Sequence, residues 1–219
     1  MTDALLLKEI ESVADPACVE FLKLIECSFP PDEIMAPSFW VRLLQQIGFG
    51  TSRMHMFVVQ AASGNGGSET SSMAGLLMYE TQPEANLVYL WYLAVAPNCR
   101  RQGIGTWILN RLTDILRQDS NYRAIQFEIE HLDYATDDSH RQEMRDRERF
   151  YQRWGAKIAR NIDYLQSVGD WHPPKPMYLC VYPLDPDLTN EEIRQMFVTA
   201  FPKEDGGGIQ NLPEDIGLE

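Results

Sequence analysis

The segment of this chain best equipped for chemistry reads Leu93-Ala94-Val95-Ala96-Pro97-Asn98-Cys99-Arg100-Arg101-Gln102-Gly103-Ile104-Gly105-Thr106. Apolar, strand-favouring residues lead into a turn with two glycines and two arginines, and the turn opens into a helical pattern. Glycine lets the backbone take positive φ and come close to a ligand. The first N–H groups of a helix have no intrahelical acceptor, so they point outward with the positive end of the macrodipole. A strand–turn–helix of this kind binds a phosphate or pyrophosphate, and Arg100 and Arg101 add charge that can pair with phosphate oxygens. The bland alternative is a connection whose glycines serve packing and whose arginines face solvent. Two phosphate motifs are excluded. No Lys follows the second glycine, as GxxxxGK requires, and no third glycine completes GxGxxG.

The surrounding elements must hold this turn in place. Residues 87–95 form the clearest strand, and after the turn Ile108, Leu109, Leu112, Ile115 and Leu116 share one helical face. A strand over 124–130 follows, with Glu128 and Glu130 on one side of it and His131 at its end. The two carboxylates either face a cleft as candidate bases or form a solvated strand end. Residues 139–154 read as a charged helix closed by Gly155. Its Arg141, Arg145 and Arg149 recur at i, i+4 and i+8 with Glu143, Asp146 and Glu148 between them. That stripe is either a solvated ion-pair face or the source of one arginine for an anionic group. Strands over 156–165 and 177–182 flank a Pro-rich connection, 171–176.

Upstream, 5–13 is a strand or a short helix. Residues 16–29 are helical, apolar at Val19, Leu22, Leu24 and Ile25, and end at Pro30-Pro31. Residues 39–47 make a second helix, and strands over 54–62 and 75–79 are joined by a flexible Gly/Ser loop, 63–68. Near the other end, 190–201 is apolar at Ile193, Met196 and Phe197, a helix that packs on its own domain or on a partner. This order predicts an α/β protein of the α+β type: a mixed, mostly antiparallel sheet of six to seven strands flanked by about four helices. The expected division is a domain over 1–187, then a C-terminal helix and flexible acidic tail over 188–219.

At 219 residues, 44% hydrophobic and 23% charged, the chain suits one globular domain with peripheral extensions. A net charge of −13 argues against nucleic acid as a partner. It is compatible with a cationic amine but selects none. The longest apolar stretches are about half of a membrane span, and the first residues lack the basic start and cleavage site of a signal peptide. A cytoplasmic protein without membrane attachment is expected. Cys18, Cys27, Cys99 and Cys180 show neither a CxxC pair nor metal-ligand spacing, which predicts free thiols and no metal.

Arg100, two residues, Gly103, one residue and Gly105 resemble the signature of the GNAT superfamily of acyl-CoA-dependent N-acetyltransferases. Leu93-Ala94-Val95-x-Pro97 is similar to the end of that family's central strand. Arg149-Phe150-Tyr151-Gln152-Arg153-Trp154-Gly155-Ala156 looks like its later Phe-Tyr-x-x-x-Gly segment. The resemblance covers roughly 54–182. It implies the GNAT fold, with acetyl-CoA in a V-shaped opening where the strand ending at Val95 splays from the strand over 124–130.

In that reading the backbone of Leu93, Ala94 and Val95 pairs with pantetheine like an added strand, and one of its N–H groups receives the oxyanion. Arg100, Arg101, Gln102, Gly103, Ile104, Gly105 and Thr106 hold the pyrophosphate. The resemblance makes Tyr151 the acid that protonates the sulfur, against its bland role as a core aromatic. The base stays open between Glu128 and Glu130, because 89–92 offer no carboxylate. Where many relatives carry an Asn, this chain has Met144. Phe39, Trp40, Tyr164 and Trp171 are candidate walls of an amine pocket. Acetyl transfer to a small or peptide amine competes with modification of protein N-termini or lysines, and with a non-catalytic acyl-CoA sensor. Many relatives are homodimers, and the sequence leaves that state open here.

Overall fold

The computed structural model describes residues 5–12, 14–44, 51–61, 72–118, 121–167, 173–202 and 207–219. Its elements are β1 (Leu5–Glu9), α1 (Ala17–Ser28), α2 (Pro37–Leu44), β2 (Arg53–Ala61), β3 (Ser72–Gln82), β4 (Leu87–Val95), α3 (Ile104–Arg117), β5 (Ala124–Glu130), α4 (Asp138–Trp154), β6 (Lys157–Gln166), β7 (Lys175–Pro183), α5 (Asn190–Ala200) and β8 (Gly208–Asn211). The eight described strands hydrogen-bond in the order β1-β2-β3-β4-β5-β7-β6-β8. The α/β class with a mixed sheet is as expected, with eight strands in place of six to seven and five α-helices in place of about four among the described residues. The chain forms two compact units, Met1–Thr81 with Leu90–Ile115, and Gln82–Tyr89 with Leu116–Glu219.

In the first unit β1 pairs antiparallel with β2, and β2 with β3. The ambiguous start is therefore a strand, half-buried at Leu5, Leu7 and Glu9 and exposed at Leu6 and Lys8. Helix α1 has its expected span but not its expected face. It buries Cys18, Phe21, Leu24 and Ile25, whereas Val19 is 57% exposed. Phe21 and Ile25 meet Val58, Leu76, Met78, Tyr92 and Ala94 in one apolar cluster. Tight packing of this kind tolerates little change in volume. The loop 63–68 lies outside the described residues.

In the second unit β4 and β5 run parallel, Leu87 opposite Ala124 and Tyr89 opposite Gln126. β5 pairs antiparallel with β7 along its whole length, and β6 lies against β7. Helix α4 begins at Asp138, where the Asp137 side chain accepts from the His140 N–H at 2.8 Å, and closes at Gly155, whose N–H donates to the Gln152 and Tyr151 carbonyls.

The expected flexible acidic tail is corrected over 207–219. β8 pairs with β6, Ile158 and Glu219 exchange backbone hydrogen bonds at 2.9 and 3.1 Å, and Ile216 is 2% exposed. Ile209 and Ile216 anchor this stretch, and the acids and glycines around them hide the pattern.

Helix α5 packs on its own unit through Ile193, Met196 and Phe197, behind a capping box in which Thr189 and Glu192 satisfy each other's backbone N–H groups. Arg123 clamps the helix start, donating to Glu192 at 2.7 Å and to Asp185 at 3.0 Å. The Arg123 and Thr189 hydrogen bonds hold the Glu192 carboxyl down to about 2, from an ordinary 4.5. Its folded value is depressed, so its stabilisation is present above pH ~4.5 and is lost as pH falls toward ~2. Thermal denaturation between pH 6 and pH 2.5 is thus expected to show a steeper acid loss for the wild type than for Glu192→Gln. Equal slopes would remove the clamp from the account. High salt should narrow the difference, because both side chains are partly exposed.

Candidate active site

In the first unit the strand–turn–helix is built as follows. Ala96 N–H donates to Ala74 C=O at 2.9 Å, and a short turn over Pro97–Cys99 reverses the chain. Arg100 Nε donates to Val95 C=O at 3.2 Å, and Gln102 Nε2 donates to Asn98 C=O at 3.3 Å. Arg101 has φ 61° and Gly103 φ 80°, both in the left-handed region. Ile104 is buried, and Ile108, Leu109 and Leu112 fix α3 through fully buried side chains. Trp107 N–H donates to Gly103 C=O at 2.9 Å. The N–H groups ahead of it are those that helix geometry leaves without an intrahelical acceptor.

Two glycines have distinct tasks here. A Cβ built at Gly103 meets nothing within 4 Å, so the space ahead of the helix is open. A Cβ at Gly75 would lie 2.6 Å from Ala94 C=O and 3.2 Å from Ile108 Cδ1. Bare glycine is thus what lets β3, β4 and α3 approach one another, a constraint the sequence reading missed. Outward N–H groups, an open approach and the exposed Arg100 and Arg101 fit a pyrophosphate. Leu93, Ala94 and Val95 are in extended conformation at the end of β4.

The titratable candidates are in the second unit. Tyr151 sits in the last turns of α4, its ring centroid 4.4 Å from that of Phe127. Burial pushes its phenol up to about 12. The Arg147 charge opposes the shift, and the nearby Cys180 adds slightly to it. The group is therefore a proton-bearing donor across the physiological range.

Glu128 follows Phe127 and so projects from the opposite face of β5. It is half-buried, and three donors converge on it: the Tyr89 and Tyr164 hydroxyls, and Gln166 Nε2 at 3.3 Å. Burial, then the Glu128 charge, raises the Tyr164 phenol well above its ordinary value.

Glu130 parts company with Glu128. It takes Arg147 at 2.5 Å, His140 at 3.2 Å and Lys175 at 3.5 Å. Burial is the largest single influence and pushes its carboxyl up, but Arg147 and Lys175, with the hydrogen bond from His140, hold it below its usual value. With Arg147 and His140 from α4 and Lys175 from β7 on one carboxylate, Glu130 ties α4 and β7 to β5. Neither carboxylate forms a solvated strand end.

The other candidates fall as follows. His131 stacks on Tyr178, centroids 4.1 Å apart, and its Nδ1 accepts from the Asp133 N–H at 3.3 Å. Met144 is buried. In the arginine stripe, Arg141 donates to Leu132 C=O at 3.0 Å and Arg149 to Asp146 at 3.3 Å. Phe39 and Trp40 pack with Trp91 and Tyr92 in the first unit, and Trp40 Nε1 donates to Met35 C=O. Tyr164 belongs to the second unit, and Trp171 lies outside the described residues. Sequence reading also missed Tyr89, Gln166 and Gln126. Gln126 is 0% exposed, with neither amide atom partnered. A polar residue at every second position of an otherwise apolar β5 was the available signal.

Among the described residues no group of His, Cys, Asp or Glu is arranged for a metal ion, and no helix is long and apolar enough to cross a membrane. None of the four cysteines is in a disulfide.

A central strand that runs through a glycine-bearing turn into a helix, on a mixed sheet, is the arrangement the two sequence motifs call for, and a family model matches the same part of the chain. The model of the acetyltransferase (GNAT) family matches residues 19–155, more than half of the chain. The protein belongs to the GNAT acetyltransferase family, whose members transfer acyl groups from acyl-CoA. No curated protein sequence matches it.

Three solved structures illustrate the likeness of fold. A GNAT-family protein from Bacteroides thetaiotaomicron is 22% identical with a TM-score of 0.62, covering 89% of this chain and 96% of its own. Spermidine N-acetyltransferase from Vibrio cholerae, in complex with CoA and spermine, is 13% identical with a TM-score of 0.54, over 83% and 96%. Arabidopsis thaliana Naa50, in complex with the bisubstrate analogue CoA-Ac-MVNAL, is 17% identical with a TM-score of 0.53, over 82% and 98%.

Proposed function

We propose that this protein is a cytoplasmic N-acetyltransferase that moves an acetyl group from acetyl-CoA to a primary amine by direct attack in a ternary complex. The observation that carries the reading is the open, left-handed Gly103 at the head of α3, in a chain that also keeps the family's tyrosine as Tyr151. Acetyl-CoA supplies the thioester. The N–H groups of 103–106, with Arg100 and Arg101, hold the pyrophosphate. The extended backbone of Leu93, Ala94 and Val95 pairs with pantetheine and offers an N–H to the oxyanion, a contact whose loss costs about 3 kcal/mol.

Two side chains move protons. Glu128 takes the proton of the incoming ammonium, because Glu130 is committed to Arg147, Lys175 and His140. Tyr151 donates to the departing sulfur. The two lie on opposite faces of β5, and in this reading the amine approaches and the thiol leaves on opposite sides of the thioester carbon.

The acceptor class follows from neither residue. A polyamine is named with the Vibrio enzyme and a peptide analogue with the Arabidopsis protein, so both belong in the test. The experiment measures CoA thiol release with alkyl monoamines, polyamines, amino acids and peptides with free N-termini. Amine-dependent release with at least one class, lowered about 10²–10⁴-fold in Glu128→Gln, is expected. Tight acetyl-CoA binding without release in any class would replace the enzyme by an acyl-CoA sensor.

A further inference from the structure

Phe201, the residue that caps α5, has its ring centroid 5.5 Å from that of Tyr89 and 5.2 Å from that of Tyr164, edge-on to both. Those are the two tyrosines whose hydroxyls donate to Glu128, one to each carboxylate oxygen. The Phe201 backbone is fixed on two sides, its N–H donating to Phe197 C=O at 2.8 Å and its C=O accepting from Ile209 N–H at 3.2 Å. Phe197 is fully buried in α5, and Ile209 is buried at the start of β8. One ring thus joins the C-terminal helix, the C-terminal strand and the two phenols.

We infer that the C-terminal segment belongs to the acceptor side of the site. Phe201 sets the rotamers of Tyr89 and Tyr164, and these positioning residues, with Gln166, hold the Glu128 carboxylate in one orientation for the acceptor's ammonium. This inference rests on the proposed function. The step it serves is a proton transfer. An N–H bond of the ammonium breaks, its electron pair stays on nitrogen as the nucleophile, and the proton forms an O–H bond on Glu128. Edge-to-face aromatic pairs prefer such perpendicular contacts and resist rotation, and displacing a reacting group by about 1 Å can cost about 100-fold in rate.

Among the described residues the titratable groups that donate to Glu128 include Tyr89 from β4 and Tyr164 from β6; Cys180 of β7 pairs with Phe127 and so lies on the other face of β5, and α5 presents the uncharged Phe201. Phenol donors favour the ionised carboxylate. Losing them therefore moves its protonation to higher pH.

The test compares the full-length wild type with Phe201→Ala, Phe201→Tyr and the double variant Tyr89→Phe/Tyr164→Phe. Two readouts are used: kcat/KM against pH with whichever amine is turned over, and the Glu128 carboxyl titration by 13C NMR, assigned with Glu128→Gln. Phe201→Ala and the double variant should lose about 100-fold in kcat/KM at unchanged KM for acetyl-CoA, with the acid limb and the NMR midpoint moved to higher pH. Phe201→Tyr should restore both. A lower melting temperature with the limb and midpoint unmoved would overturn the inference and leave Phe201 a packing residue. If no amine is turned over, the proposed function fails, yet the NMR midpoint still decides whether Phe201 orients Glu128. If Phe201→Ala does not fold, Phe201→Leu takes its place and is judged by the same midpoint.

Discussion

Tyr151→Phe is expected to lower kcat about 10²–10⁴-fold, the usual contribution of a positioned proton donor, with little change in acetyl-CoA affinity. The substitution removes one oxygen and leaves the ring against Phe127, where the centroids lie 4.4 Å apart. The fold should therefore survive, and the loss is chemical. Burial pushes the phenol up to about 12, above an ordinary thiol near 8.5. A donor that weak stabilises the departing thiolate mainly through its hydrogen bond, and gives up its proton only as the charge on sulfur develops. It also stays protonated as pH rises through 10, so a basic limb of the rate profile below that pH belongs to another group. Rapid-quench kinetics, which separate the chemical step from product release, provide the check. A Tyr151→Phe enzyme with unchanged single-turnover rate would reduce Tyr151 to an aromatic of the α4 face.

Gly103→Trp is expected to weaken acetyl-CoA binding by more than about 100-fold, on the order of 3 kcal/mol. Two physical effects contribute, and a second variant separates them. At φ 80° any L side chain is strained, by roughly 1–2 kcal/mol. A Cβ there meets no protein atom within 4 Å, so Gly103→Ala suffers the backbone strain alone. It should melt somewhat lower while binding acetyl-CoA only weakly impaired. The indole of Gly103→Trp goes further and occupies the open approach to the first N–H groups of α3. Equal affinities of the Ala and Trp variants would place the pyrophosphate elsewhere.

Which parts of this site were legible in the sequence follows from how far apart in the chain their residues lie. The β4–turn–α3 segment is contiguous, so a continuous apolar strand run, paired glycines and a helical face reinforce one another within a short window. The same holds for α4, where Gly155 closes a continuous charged run, although the cap at Asp137 was not read from the sequence. The carboxylate site is different. Tyr89, Tyr164 and Gln166 each lie 36–39 residues from Glu128, and only the β4-β5-β7-β6 strand order brings them together. Periodicity says which side of a strand a residue takes, but not which strand becomes its neighbour. Glu128 and Glu130 share a side in the pattern, yet α4 claims only Glu130 because Arg147 and His140 reach it. Composition misled at the C-terminus, where Ile209 and Ile216 hold the acidic stretch against β6. It also misled in α1, where Phe21 and Cys18, and not Val19, face the core.

The account depends most on acetyl-CoA binding at the Gly103 turn, and calorimetric titration of acetyl-CoA into the purified wild-type protein measures that directly. It predicts saturable binding in the micromolar range with one site per chain, abolished in Gly103→Trp and retained in Glu128→Gln. A folded wild-type protein that gives no binding heat would contradict it, leaving a GNAT fold without its donor.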